Sequence, residues 1–220
     1  MILRIGLPAG LQSAVFAISN IVIQSAINSL GKVVMAASSA AYNIEVFAYD
    51  VMNSYNQACT TFVGQNYGAG QIRRCRKTLY LCLIEDAVSL GATVALVLLT
   101  GHFLLSIFNN DPQVIALGYD RLKIVFFAYI FSLLYEVMSG YLRGFGISLV
   151  PAALTALGVC GIRIAWIHFV FPQHPTLQTI MTSYPVSLSA TALMIFIALL
   201  CYRPARKHAA MEREPAPAGN

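Results

Sequence analysis

The sequence predicts an all-α polytopic membrane protein, built as a six-transmembrane-helix bundle. Three observations point there. Of 220 residues, 58% are apolar and only 10% are charged, with a mean hydropathy of +0.69. An ordinary soluble domain carries about 25% charged residues. The apolar residues gather into six stretches of the ~20 residues that cross a bilayer, and these are apolar on all faces rather than along one stripe. The connections between them are short, and several contain Gly, Pro, Asn or Asp, which is turn chemistry.

The first span covers residues 8–30 and carries Ser13, Asn20, Gln24 and Asn28. The last three are spaced i, i+4, i+8, so they form one slowly rotating stripe that should face protein or water. Interhelical hydrogen bonds, worth about 1 kcal/mol each, and a substrate path are both open readings for Asn20 and Gln24. The second span, 39–63, carries Glu45 and Asp50. Glu45, Tyr49, Asn53 and Asn56 share a face, with Asp50, Ser54 and Gln57 on a neighbouring one. Five positions are about 140° apart on a helix, so only a wide cavity sees both acids.

The third span, 79–99, holds Glu85 and Asp86 about two turns from its basic end. Both read as structural, reaching towards water or towards the run Arg73–Lys77. The fourth, 119–142, holds Glu136, too deep for snorkelling alone. The fifth, 150–171, places Arg163 at mid-span, where it is either an ion-pair partner for Glu136 or a packing residue. The sixth, 177–201, contains Pro185, which removes a helix hydrogen bond and predicts a kink. Residues 204–220 form a polar, Pro-containing tail, expected to be disordered and cytoplasmic.

Intramembrane ionisable groups are costly and normally face a cavity or a partner. Glu136, Asp50 and Glu45 are therefore the candidates for holding a coupling proton or Na⁺. Tyr49 and Asn53 join Asn20 and Gln24 as candidate cavity residues. The basic residues give the topology. With six spans, one side holds Arg4, Arg73, Arg74, Arg76, Lys77, Arg143, Arg203, Arg206, Lys207 and Arg213, and the other holds Lys32, Arg121 and Lys123. Ten against three places both termini in the cytoplasm by the positive-inside rule. The stretch "GQNYGAGQIRRCRKT" then reads as a cytoplasmic loop.

Several functions are not expected. The net charge of +5 sits at span ends, without the basic–aromatic interleaving of a nucleic-acid site. The five cysteines and four histidines show no metal spacing, and neither a metal site nor a disulfide is predicted. The N-terminus lacks the pattern of a signal peptide. The glycines near residue 68 are not a nucleotide loop, since GxxxxGK[ST] and a preceding strand are both missing. No catalytic set is present, so an enzyme is not expected.

Four motifs in order resemble one family. "IGLPAGLQS" opens the first span, "TTFVGQNYGAGQ" closes the second, "YLRGFGISLVPAALTALGVCGIRIAW" joins the fourth and fifth, and "SYPVS" marks the sixth. Together they resemble the C-terminal half, the second six-helix lobe, of multidrug and toxic compound extrusion (MATE) transporters. The resemblance implies a cell-membrane antiporter that exports organic cations or drugs in exchange for Na⁺ or H⁺, by alternating access between two lobes. It implies no cofactor beyond the coupling ion. It also implies a missing lobe, supplied by a separate N-terminal half or by a second copy of the chain. Alternatives are a truncated, non-transporting fragment and, less favoured by five intramembrane acids against Arg163, a lipid-carrier flippase. The carboxylate positions of some family members correspond here to Phe16 and Ser132, which leaves Glu136, Asp50 and Glu45 as the candidate coupling acids.

Overall fold

The computed structural model describes residues 2–202 and 204, with side chains from Ala14 onward. Expectations for Arg4, Ser13, Arg203 and the tail beyond Pro204 lie outside the described residues. Six long helices follow one another: α1 (Ile2–Ser29), α2 (Lys32–Gly68), α3 (Ile72–Phe108), α4 (Pro112–Gly144), α5 (Leu149–Phe169) and α6 (Leu177–Tyr202). The chain is an all-α polytopic membrane protein. α3, α4, α5 and α6 are each long and apolar enough to cross a membrane, and α1 contributes the shorter apolar segment Ala14–Ser29. α2 has the length, at 37 residues. Asn43, Glu45, Asp50, Asn53 and Asn56 lower its hydropathy.

The helices are longer than the apolar spans. α2 and α3, at 37 residues each, reach about 55 Å at 1.5 Å per residue, against about 30 Å of hydrocarbon. This corrects the expected loop at residues 64–78. α2 continues to Gly68 and α3 begins at Ile72, so Arg73, Arg74, Arg76 and Lys77 are exposed side chains in the opening turns of a helix. Hydropathy marks the membrane, whereas backbone hydrogen bonding carries the helix on into water. The true turn is Ala69–Gln71. Gly70 has φ +70 there, a conformation that excludes most other residues, and Gln71 N–H closes on Asn66 O at 2.8 Å. α4 starts more conventionally: Asp111 accepts from Gln113 N–H at 2.9 Å, with Pro112 in the first turn.

α4 is the hub. It packs against α2, α3 and α6, while α1 packs mainly on α5. Small residues permit the closest approach. A Cβ on Gly140 would lie 2.6 Å from Asn56 O and Oδ1, and one on Gly144 would lie 2.6 Å from Val63 Cβ. Side-chain sterics therefore set the α2–α4 spacing. Leu81, Ile84, Val88, Leu96, Leu99 and Phe103 of α3 remain exposed, giving an apolar outer face suited to lipid. α5 is interrupted by a π-helical stretch at Ala156–Gly161. There Gly158 faces Thr191 and Met194 of α6. A π stretch adds a residue to the turn, so Arg163 is aimed differently from its position in an uninterrupted helix. Pro185 lies inside α6, which continues on both sides of it.

Candidate functional site

A cavity of about 640 Å³ opens between α1, α2, α4, α5 and α6. Glu136 is its central acid. Only 7% of the residue is exposed, and Asn56 Nδ2 donates to its Oε2 at 2.7 Å. Tyr49 and Tyr135 lie beside the same carboxylate, and the field of Arg143 reaches it. Three polar neighbours and one cation hold this acid at the cavity wall, where it can exchange a proton or small cation with water.

The other expected residues separate into three groups. Asn20, Tyr49, Asn53, Glu45 and Arg163 line the cavity with Glu136. Gln24 does not; it is exposed and donates to Asn28 Oδ1 at 2.8 Å, so that part of the α1 stripe is spent on its own helix. Asp50 is also outside the cavity wall. It is exposed on the next face of α2, and its backbone carbonyl accepts from Ser54 Oγ. The reason is the ~140° offset along the helix, which the α2 packing resolves in favour of Glu45.

Glu45 reaches the cavity already neutralised. Arg121 Nε and Nη2 donate to its two oxygens at 2.7 and 2.8 Å, and Arg121 Nη1 donates to Ser38 Oγ at 2.6 Å. Both charged residues are 3% exposed. Arg121 is therefore a buried fork–fork partner rather than a topological cation at a span end. For Arg163, of the ion pair with Glu136 and the packing role, the contacts support packing. Its Nε donates to Ser187 Oγ at 3.0 Å, and its guanidinium lies 4.0 Å from the centre of the Tyr184 ring. Packing, not Glu136, holds it.

Residues outside the sequence-based candidate set complete the walls. Phe16 and Ser132, the positions that replace carboxylates of some family members, both line this cavity. Tyr42, Tyr129, Tyr135 and Tyr184 add aromatic surface, and Arg143 adds a cation. Asn56 was visible on the face of Glu45, but its bond to a helix 80 residues away was not. Asp86 is buried, in contrast to the expected reach towards water, while Glu85 is exposed.

Fold and cavity together define a six-helix membrane bundle with a polar, aromatic-lined cavity. The MatE family signature matches residues 8–167, and the chain belongs to that family of multidrug efflux transporters. It is 29% identical to Multidrug resistance protein PmpM of Pseudomonas aeruginosa over 238 aligned positions, covering 100% of this chain and 47% of that protein. It is 21% identical to Probable multidrug resistance protein YoeA of Bacillus subtilis, covering 89% of this chain and 42% of the relative. The chain thus spans less than half the length of these curated relatives. Solved structures show the same fold. An outward-facing MATE family transporter superposes with a TM-score of 0.79 at 17% identity, over 97% of this chain and 47% of that one. An inward-facing form gives 0.76 at 18% identity, over 98% and 49%.

Proposed function

We propose that this chain is one lobe of a cation-coupled antiporter that exports amphipathic organic cations across the cell membrane, with both ends of the lobe in the cytoplasm. The observation that carries the reading is Glu136: a buried acid on the wall of a 640 Å³ cavity lined by tyrosines and asparagines. Aromatic faces attract cations through the ring quadrupole, and an acid that holds Na⁺ or H⁺ biases whichever conformation binds that ion more tightly. Substrate takes the cavity in one state and the ion takes Glu136 in the other. The chain matches about half the length of the solved MATE transporters, which supports a second six-helix unit facing this cavity. That unit comes from further sequence, a separate half or a second copy.

Ethidium efflux from cells stripped of their own exporters tests this. The chain is expressed alone, then with the complementary lobe of a relative. Glu136→Gln abolishes efflux in whichever arrangement transports, and Asp50→Asn, outside the cavity, retains it. A protein confirmed in the membrane that gives no efflux in either arrangement defeats the reading. Efflux indifferent to Glu136→Gln removes the acid from it.

A further inference from the structure

Asp86 of α3 is fully buried, and neither of its carboxylate oxygens has a hydrogen-bond partner. Contacts on both sides place it. One turn away on one side, Cys82 meets Cys59 of α2. Close to one turn away on the other, Ser89 Oγ is 2.7 Å from Tyr55 Oη of α2. Between Tyr55 and Cys59, the buried polar residue on α2 is Asn56. Asn56 spends its Nδ2 on Glu136, and its Oδ1 is left without a partner. Asp86 of α3 and Glu136 of α4 thus lie within electrostatic reach where α2, α3 and α4 meet, with the α2 amide of Asn56 bonded to Glu136. Glu136 opens to the cavity and Asp86 does not.

Buried polar groups are nearly always hydrogen-bonded, and an isolated buried carboxylate is among the costliest groups a protein holds. Asp86 offers two unpartnered acceptor oxygens, and Asn56 a third that faces Gly140 of α4. The titratable neighbours are Tyr55 and Cys59 from α2, Cys82 and the outward-facing Glu85 from α3, and Glu136 from α4. None is a cation. Arg143 stands on the cavity side with Glu136. Among the described residues, no Lys or Arg forms an ion pair with Asp86. What such a set of oxygens lacks is a single positive charge.

We propose that Asp86 is a second cation-holding acid of this lobe, set behind Glu136, where a proton or Na⁺ taken up from the cavity is held at the α2–α3–α4 junction. The proposal rests on the cation-coupled reading of Glu136. If the charge is a proton, it leaves Glu136 as a carboxylate and bonds to an Asp86 oxygen. If it is Na⁺, the ion moves between oxygens with no covalent change. Either way, occupancy ties α3 to the α2–α4 pair, so an ion in the cavity acts on a helix that does not line it.

The test uses the full chain in lipid nanodiscs, with no second lobe and no gradient. Infrared difference spectra are taken on acid titration and on NaCl addition, with radioactive Na⁺ binding in parallel. For a proton, a carboxylic acid C=O band that shifts in D₂O is present in the native chain and in Glu136→Gln, and is lost in Asp86→Asn. For Na⁺, carboxylate bands move on NaCl addition, and Asp86→Asn weakens Na⁺ binding by roughly tenfold or more, the least expected when the charged ligand itself is removed. Glu85→Gln, on the exposed side, matches the native chain in both. Should Asp86→Asn not fold, Asp86→Glu keeps the acid and displaces the band or the affinity. Native-like spectra and Na⁺ binding in the Asp86 variants overturn the proposal. Because binding is read without transport, a silent Asp86 beside efflux that depends on Glu136 sinks this inference and leaves the function standing. An Asp86 signal without efflux does the reverse.

Discussion

Replacing Glu45 by Met isolates the buried pair at the cavity wall. Arg121 then stays at 3% exposure with only Ser38 to receive its five donors. Removing one partner of a buried ion pair costs about 3–5 kcal/mol, because the other charge stays desolvated. At 1.4 kcal/mol per factor of ten, that is roughly a hundred- to a few-thousand-fold in the unfolding equilibrium. A solvent-exposed pair of the same residues would be worth only about 0–1 kcal/mol. The double replacement Glu45→Met/Arg121→Met removes both charges from similar volumes. It should recover most of the loss and can exceed the native stability by about 1–4 kcal/mol. Denaturant unfolding in detergent, followed by the chain's single tryptophan, reads the cycle. Trp166 suits this because its Nε1 donates to Thr179 O across the α5–α6 contact at 2.9 Å. A Glu45→Met chain within about 1 kcal/mol of native would refute the argument, since an intact fork–fork pair at this burial cannot be lost so cheaply.

Other substitutions probe separate links in the structure. Gly144→Ala sets a Cβ 2.6 Å from Val63 Cβ and 3.0 Å from Thr60 O; it should force α2 from α4 and cost about 1–3 kcal/mol of stability in the same unfolding assay. Arg163→Lys keeps the charge but loses the planar stack on Tyr184 and the Nε bond to Ser187. A loss of about 1–2 kcal/mol is expected, and a fully native unfolding curve would show that stacking does not anchor this residue. Asn56→Leu should resemble Glu136→Gln in efflux, because it strips the acid of its 2.7 Å donor; efflux unchanged by Asn56→Leu would mean that Tyr49 and Tyr135 suffice to hold Glu136.

The sequence by itself determined the membrane class, the helical fold and the family, because these depend on local quantities. Apolar stretches, scarce charge and four motifs in order are all read along the chain. Glu136 was legible for the same reason: a carboxylate two turns inside an apolar span has few uneventful explanations. Tyr49, Asn53 and Asn20 followed from helical periodicity, which places them on shared faces before any partner is known. Only the tertiary structure decided what each polar group meets. Glu45 and Arg121 are 76 residues apart and find each other across the α2–α4 contact. Arg163, just after a π-helical stretch, stacks on Tyr184 rather than pairing with Glu136. Asp86 and Glu85 are neighbours in sequence, yet one is wholly buried and the other exposed. In a soluble helix, an apolar stripe shows which face is buried. In a membrane helix, lipid and protein interior are both apolar, so hydropathy cannot tell the outer face from the inner one. Burial here is decided by which helices pack together.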